Sequence, residues 1–189
     1  MSARLWLVRH GATDWSEAGR FTGWRDIPLN DVGRRQAELL RGRVRATEFD
    51  GIWSSDLSRA METARIAVGG ARADERLREL DFGELEGRTW DQCPHDVQAG
   101  LLAFDDFAAL RGESVGELRD RVRAFIDTLP DGNHLVVTHG GVIRILLRVV
   151  GRDGRVPPGG LMQLVRVGSA LLSVEGGLEP ELHEPRGGS

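Results

Sequence analysis

Two imidazoles stand at the ends of short apolar runs. Leu5-Trp6-Leu7-Val8 leads into Arg9-His10-Gly11, and Leu135-Val136-Val137-Thr138 leads into His139-Gly140-Gly141. Histidine is the side chain best suited to nucleophilic or proton-transfer work near neutral pH. Arginine holds phosphate or carboxylate oxygens with two parallel N–H donors, and glycine lets the backbone approach a ligand closely. One such histidine is often structural; two, each leaving a strand, point to a shared anion site. A third cluster, Ser54-Ser55-Asp56-Leu57-Ser58-Arg59, adds a cation. Asp56 reads as the N-cap of a helix over 57–68, which sets Arg59 in its first turn. A cation there costs from a few tenths to ~1 kcal/mol, so a compensating ligand is expected. The run from Leu77 through Glu79 to Gly87 holds several carboxylates among apolar residues. Transfer from a phosphate ester needs a proton for the leaving oxygen, and a carboxyl group partly buried beside an anion keeps its proton more tightly.

The elements that must position these clusters follow from periodicity. Strands are expected over 5–8, 51–54, 134–138, 162–167 and 170–174, with Gly168-Ser169 as a hairpin turn between the last two. Helices are expected over 30–46 (capped by Asn30), 57–68 (stopped by Gly69-Gly70), 114–129 (started by Ser114) and 141–150. Residues 11–30 read as a long loop, residues 80–87 as a Gly-punctuated acidic loop, and residues 89–110 as one or two weakly defined helices. Strands alternating with helices predict a three-layer α/β/α sandwich with a mostly parallel central sheet. Ligands in such sheets bind beyond the carboxyl ends of the strands, so the three clusters are expected to converge on one rim.

The chain has 189 residues and a net charge of −4. This suits one catalytic domain over 1–175 with a C-terminal tail over 176–189. All the positive side chains are Arg; Lys and Tyr are absent, and Cys93 is the one cysteine. Schiff-base chemistry, a P-loop lysine, a tyrosine nucleophile, a disulfide framework and paired-cysteine zinc sites are thereby excluded. No histidine pair has metal-ligand spacing, so neither metal nor cofactor is expected. No apolar run is long enough to span a membrane, and no signal peptide is evident. A cytoplasmic location is expected, with neither nucleic acid nor membrane as partner; the pattern assigns no oligomeric state.

The motifs together resemble the histidine phosphatase superfamily, in its phosphoglycerate-mutase-like branch. The resemblance rests on Leu7-Val8-Arg9-His10-Gly11, Arg20-Phe21-Thr22-Gly23-Trp24-Arg25-Asp26-Ile27-Pro28-Leu29, Gly33, Ser54 to Ala60, Thr63-Ala64, Glu79 to Gly87, Gly112-Glu113-Ser114 and Val137-Thr138-His139-Gly140-Gly141, in the family's order. It implies that His10 is the nucleophile that takes the phosphoryl group. It implies that Arg9, Arg59 and His139 bind phosphate and that Glu79 is the proton donor. Ser16, Thr22, Gly23 and Gly140 are the implied substrate contacts, with Ser16 standing where many members have Asn. The expected partners are a small phosphorylated substrate and inorganic phosphate.

Gly141 stands where a mutase is expected to carry Asn, and the segment 91–110 is acidic and poor in cations. Both favour phosphomonoester hydrolysis. The alternatives are phosphoglycerate-mutase-type transfer, which residues 20–29 support, and a non-catalytic phosphate-binding module. A two-histidine phosphodiesterase does not fit the spacing after His10 and His139. Trp15, Phe21, Trp24, Phe82 and Trp90 form either an apolar wall or packing under loops, and Phe104 and Phe107 either a lid or core.

Overall fold

The structure, a computed structural model, describes residues 2–173; the tail expected over 176–189 and His183 lie outside the described residues. Six strands form one sheet in the order β3-β2-β4-β1-β5-β6. They are β1 (Ser2–Arg9), β2 (Gly51–Ser54), β3 (Arg72–Ala73), β4 (Gly132–Thr138), β5 (Leu161–Val167) and β6 (Ala170–Ser173). Strands β3, β2, β4 and β1 pair in parallel, whereas β5 runs antiparallel to β1 and β6 antiparallel to β5. The sheet is thus mixed and mostly parallel. The two-residue edge strand β3 carries too little pattern to be read from sequence.

Alternation along the strands explains the layers. From β1 and β4, Leu5, Leu7 and Val136 face one cluster, while Val8, Leu135 and Val137 face the other. The first cluster is closed by α5 (Val115–Thr128) and α6 (Gly140–Val149), the second by α2 (Asp31–Leu40) and α3 (Ser58–Val68). Helix α5 buries Val115, Leu118, Val122, Phe125 and Ile126, and a reciprocal capping box between Ser114 and Glu117 fixes its start. Asn30 caps α2 by accepting the Gly33 N–H at 2.9 Å. That helix ends at Leu40 rather than near residue 46, yet Val44 in the following turn is still buried. The expected loop 11–30 contains a short helix α1 (Asp14–Glu17), and α4 (His95–Ala103) lies within the weakly patterned stretch. Among the described residues no helix is long and apolar enough to cross a membrane.

One expectation is corrected. Asp56 does not cap α3; its carboxylate grips Arg78, at 2.8 Å to the Arg78 Nε. The first N–H of α3, on Ser58, donates instead to Asp26 at 2.8 Å. The cap comes from a loop 32 residues away, which no local pattern could show.

The loop after β1 lies against the start of α2 at two facing glycines. A Cβ on Gly33 would run into the Ala12 carbonyl oxygen and stand 2.7 Å from the Ala12 N; a Cβ on Gly11 would run into the Gly33 carbonyl oxygen. Backbone, not a movable side chain, is what each would meet. Gly33→Ala is therefore expected to destabilise the fold by roughly 1–3 kcal/mol, read as a lower urea midpoint at unchanged m-value.

Candidate active site

The parallel register places Arg9 opposite Thr138, so the next residues, His10 and His139, emerge side by side. The His10 N–H donates to the Thr138 carbonyl at 2.9 Å. The two rings meet edge to face with centroids 5.0 Å apart. The expected convergence of the strand exits is thus observed. The His10 Nδ1 sits 2.7 Å from the Gly11 carbonyl. A carbonyl only accepts, so Nδ1 is assigned the hydrogen and Nε2 keeps its lone pair. The His139 Nε2 lies 2.8 Å from the Ser55 Oγ. That Oγ also accepts the Leu57 N–H at 3.3 Å and, as a hydroxyl, has both a hydrogen and a second lone pair for Nε2. The His139 Nδ1 is buried with no protein partner.

Two guanidinium groups complete this floor. Arg59, 0% exposed, donates to the carbonyls of Arg25 at 2.8 Å and Gly23 at 2.7 Å. Arg9 donates to the Val156 carbonyl at 2.7 Å. The Nε atoms of both arginines are buried without a partner, and neither arginine forms an ion pair among the described residues. Burial, followed by the neighbouring Arg59 charge, holds both His10 and His139 well below the usual imidazole pKa of 6.5. Burial also lowers the pKa of Arg9 and Arg59, while the nearby Glu79 charge acts the other way.

The carboxylate of Glu79 lies at the start of α6. Its Oε1 accepts the N–H groups of Leu80 at 2.9 Å and Gly141 at 3.0 Å, and its Oε2 lies 3.1 Å from the same Gly141 N. A Cβ on Gly141 would meet the Glu79 Oε1, the far end of a movable side chain, so a larger residue here would displace the Glu79 carboxylate. The indole Nε1 of Trp24 donates to the Glu79 carbonyl at 2.8 Å.

These groups border a cleft of about 690 Å³. Arg9, His10, Arg59, Glu79, Ser16, Thr22, Gly23 and Gly140 line it; His139, fully buried, packs edge to face on the His10 ring. The Ser16 hydroxyl is committed to the α1 capping box. It donates to the Thr13 carbonyl and accepts the Thr13 N–H, both at 2.9 Å. Its one hydrogen is directed to the Thr13 carbonyl in this arrangement, although Ser16 lines the cleft. Phe21, Phe82, Trp90 and Phe104 line the upper wall with Leu101 and Leu102. Trp15 instead packs on Gly87, Trp24 stacks on Arg78, and Phe107 belongs to the core.

Several side chains that shape the site were not assigned from sequence. Thr63 accepts the Gly11 N–H at 3.1 Å and donates to the Arg59 carbonyl at 2.7 Å, tying α3 to the His10 loop. Glu86 accepts the Trp24 N–H at 2.7 Å, and its pKa is raised, mainly by burial. Ser55 meets His139 across 84 residues of sequence. Ser55, Thr63 and Glu86 sit in recognised motifs, but nothing local gives their partners. Arg20, Arg144 and Arg155 also line the cleft, so it carries cations that the acidic 91–110 segment did not suggest. Arg144 is committed to Asp153 at 2.9 Å and to the Leu101 and Leu102 carbonyls. Among the described residues no group of three or more His, Cys, Asp and Glu side chains is arranged to hold a metal ion.

The chain is 39% identical over 156 residues to a Yersinia pestis protein named "Probable phosphoglycerate mutase GpmB", covering 76% of this chain and 73% of that one. The crystal structure of TTHB049 from Thermus thermophilus superposes with a TM-score of 0.81 at 39% identity, over 90% of this chain and 97% of that one. An Escherichia coli structure described as "a putative alpha-ribazole-5'-P phosphatase" gives 0.76 at 28% identity, over 91% and 94%. Residues 5–155 match the family pattern of the histidine phosphatase superfamily, branch 1. The shared fold, the matched length and the paired histidines at the tips of β1 and β4 lead to one conclusion: this chain belongs to the histidine phosphatase superfamily.

Proposed function

We propose that the protein hydrolyses small phosphomonoesters through a phosphohistidine on His10. The observation that carries this reading is the His10 ring. Its Nδ1 is tied to the Gly11 carbonyl, and burial among cations keeps it neutral. Its Nε2 lone pair is thereby available at the floor of a guanidinium-lined cleft. Attack of Nε2 on phosphorus forms the N–P bond as the ester P–O bond breaks. The protonated Glu79 carboxyl gives its hydrogen to the departing alkoxide. Water then attacks the phosphohistidine, the N–P bond breaks, and the Glu79 carboxylate takes up the water proton as inorganic phosphate forms. Arg9, Arg59 and His139 serve as donors to the equatorial oxygens, where charge develops.

Two features favour hydrolysis over transfer within the family. Gly141 offers no side-chain donor where a mutase is expected to carry Asn. The upper wall is built from Phe21, Phe82, Trp90, Leu101, Leu102 and Phe104, which suits an apolar leaving group. The second reading, phosphoryl transfer of the mutase type, is supported by the Yersinia relative's name and by Arg20 and Arg155 at the cleft. A metabolite phosphatase screen run beside a 3-phosphoglycerate mutase assay separates the two. Hydrolysis is expected to dominate, and isomerisation faster than phosphate release overturns the reading.

His10→Ala is expected to remove essentially all turnover, and rapid quenching of the wild type to trap an acid-labile, base-stable phospho-adduct. Glu79→Gln is expected to lower kcat/KM by about 10²–10⁴ for poor leaving groups, and far less for nitrophenyl phosphate. Chelators are expected to leave activity intact.

The imidazoles set a pH dependence. Both are held below 6.5 in the fold, whereas the unfolded chain carries ordinary ones. Their neutral state therefore adds stability that is present above about 6.5 and is lost as the pH falls below it. Ring titration by NMR is expected to give midpoints below 6.5 for His10 and His139. A midpoint at or above 6.5 contradicts the burial argument.

A further inference from the structure

The Gly112-Glu113-Ser114 motif has no part in the chemistry above, although Ser114 starts α5. Glu113 nevertheless reaches the site through Arg121, in the body of α5. The Arg121 Nε donates to the Glu113 Oε1 at 2.6 Å and Nη2 to Oε2 at 2.8 Å, a fork-to-fork pair. Nη1 donates to the carbonyls of Arg76 at 2.8 Å and Arg78 at 2.7 Å. Nη2 gives its remaining hydrogen to the carbonyl of Glu79 at 2.7 Å. All five N–H groups of one guanidinium are thus placed. The two side chains are 17% and 11% exposed, so water does not compete strongly for these bonds. Glu113 also joins the acidic loop by its backbone, donating its N–H to the Asp81 carbonyl at 2.9 Å.

We propose that Arg121, aimed by Glu113, is a positioning residue for the proton donor Glu79. The Glu79 carbonyl receives two donors, the Trp24 indole from the 20–29 loop and the Arg121 guanidinium from α5. The carboxylate of the same residue is held at Gly141 and Leu80. Backbone and side chain are therefore fixed from opposite ends, which leaves the carboxyl little freedom to drift. Arginine is required because three carbonyls and a carboxylate must be met by one planar fork, and a lysine ammonium has three donors on a flexible stem. The His139 ring, whose pKa is lowered first by burial and then by the Arg59 charge, feels the Arg121 charge in the same direction.

The inference rests on the proton-donor role proposed for Glu79, and the test separates the two. The measurement is kcat/KM for nitrophenyl and alkyl phosphates in wild type, Arg121→Lys, Glu79→Gln and the double variant, each with a circular dichroism spectrum. A displaced acid matters only when the leaving oxygen needs its proton. Arg121→Lys is therefore expected to lose roughly 10- to 100-fold on alkyl phosphates, to change little on nitrophenyl phosphate, and to cost nothing further in the Glu79→Gln background. Equal losses on both esters, or a full additional loss in the double variant, overturn the inference while the Glu79 assignment stands. A leaving-group-independent Glu79→Gln overturns both. Glu113→Gln, which loosens the aim of the fork but keeps its donors, is expected to show the same pattern more weakly. It decides the question if Arg121→Lys does not fold.

Discussion

The structure turns on one electrostatic constraint, the burial of two guanidinium groups and two imidazoles together without a paired carboxylate. Arg59 is fully enclosed and answers its charge with the backbone carbonyls of Gly23 and Arg25. Arg9 does the same with the carbonyl of Val156. Carbonyl dipoles satisfy hydrogen bonds but do not cancel charge, so the excess positive potential remains at the cleft floor. Burial, together with that potential, keeps His10 and His139 neutral. The potential also makes the floor complementary to an anion, because the buried Nε atoms of both arginines and the Nδ1 of His139 have no protein partner. The same arrangement that keeps the imidazoles neutral thus leaves donors free to meet an anion.

Sheet topology delivers this constraint. Strands β1 and β4 are far apart in sequence but adjacent and parallel, so their carboxyl ends present His10 and His139 at one level. The neighbouring β2 ends in Ser54, and Ser55 just beyond it orients His139. The N-terminal end of α3 then brings in Arg59. The groups arrive from three neighbouring strand exits, so their positions are set by the packed sheet rather than by a flexible loop.

The loops over the floor are held by polar contacts of long reach. Asp26 caps α3, Glu86 binds the Trp24 N–H, and the Trp24 indole binds the Glu79 carbonyl. Residues 20–29 therefore connect the N-terminal end of α3 to the acidic loop that carries Glu79. The opposite wall is braced by Arg144, which stacks on Phe104 and bonds the carbonyls at the end of α4.

Much of this was legible in the chain because it depends on local rules. Apolar runs ending in Arg-His-Gly and His-Gly-Gly marked the strand tips, Asn30 and Ser114 marked helix starts, and Gly168 marked the final hairpin. These follow from alternation, capping and backbone freedom, which act over a few residues. The motif order carried the family. What the tertiary structure alone decided were the pairings over long sequence separations. Asp26 rather than Asp56 caps α3, Ser55 meets His139, Arg144 and Arg155 line a cleft although the 91–110 segment is acidic, and β3 adds an edge too short for any pattern. Hydrogen-bond partners are chosen by proximity after packing, and proximity between residues separated by thirty to eighty positions is not written in either one's neighbours.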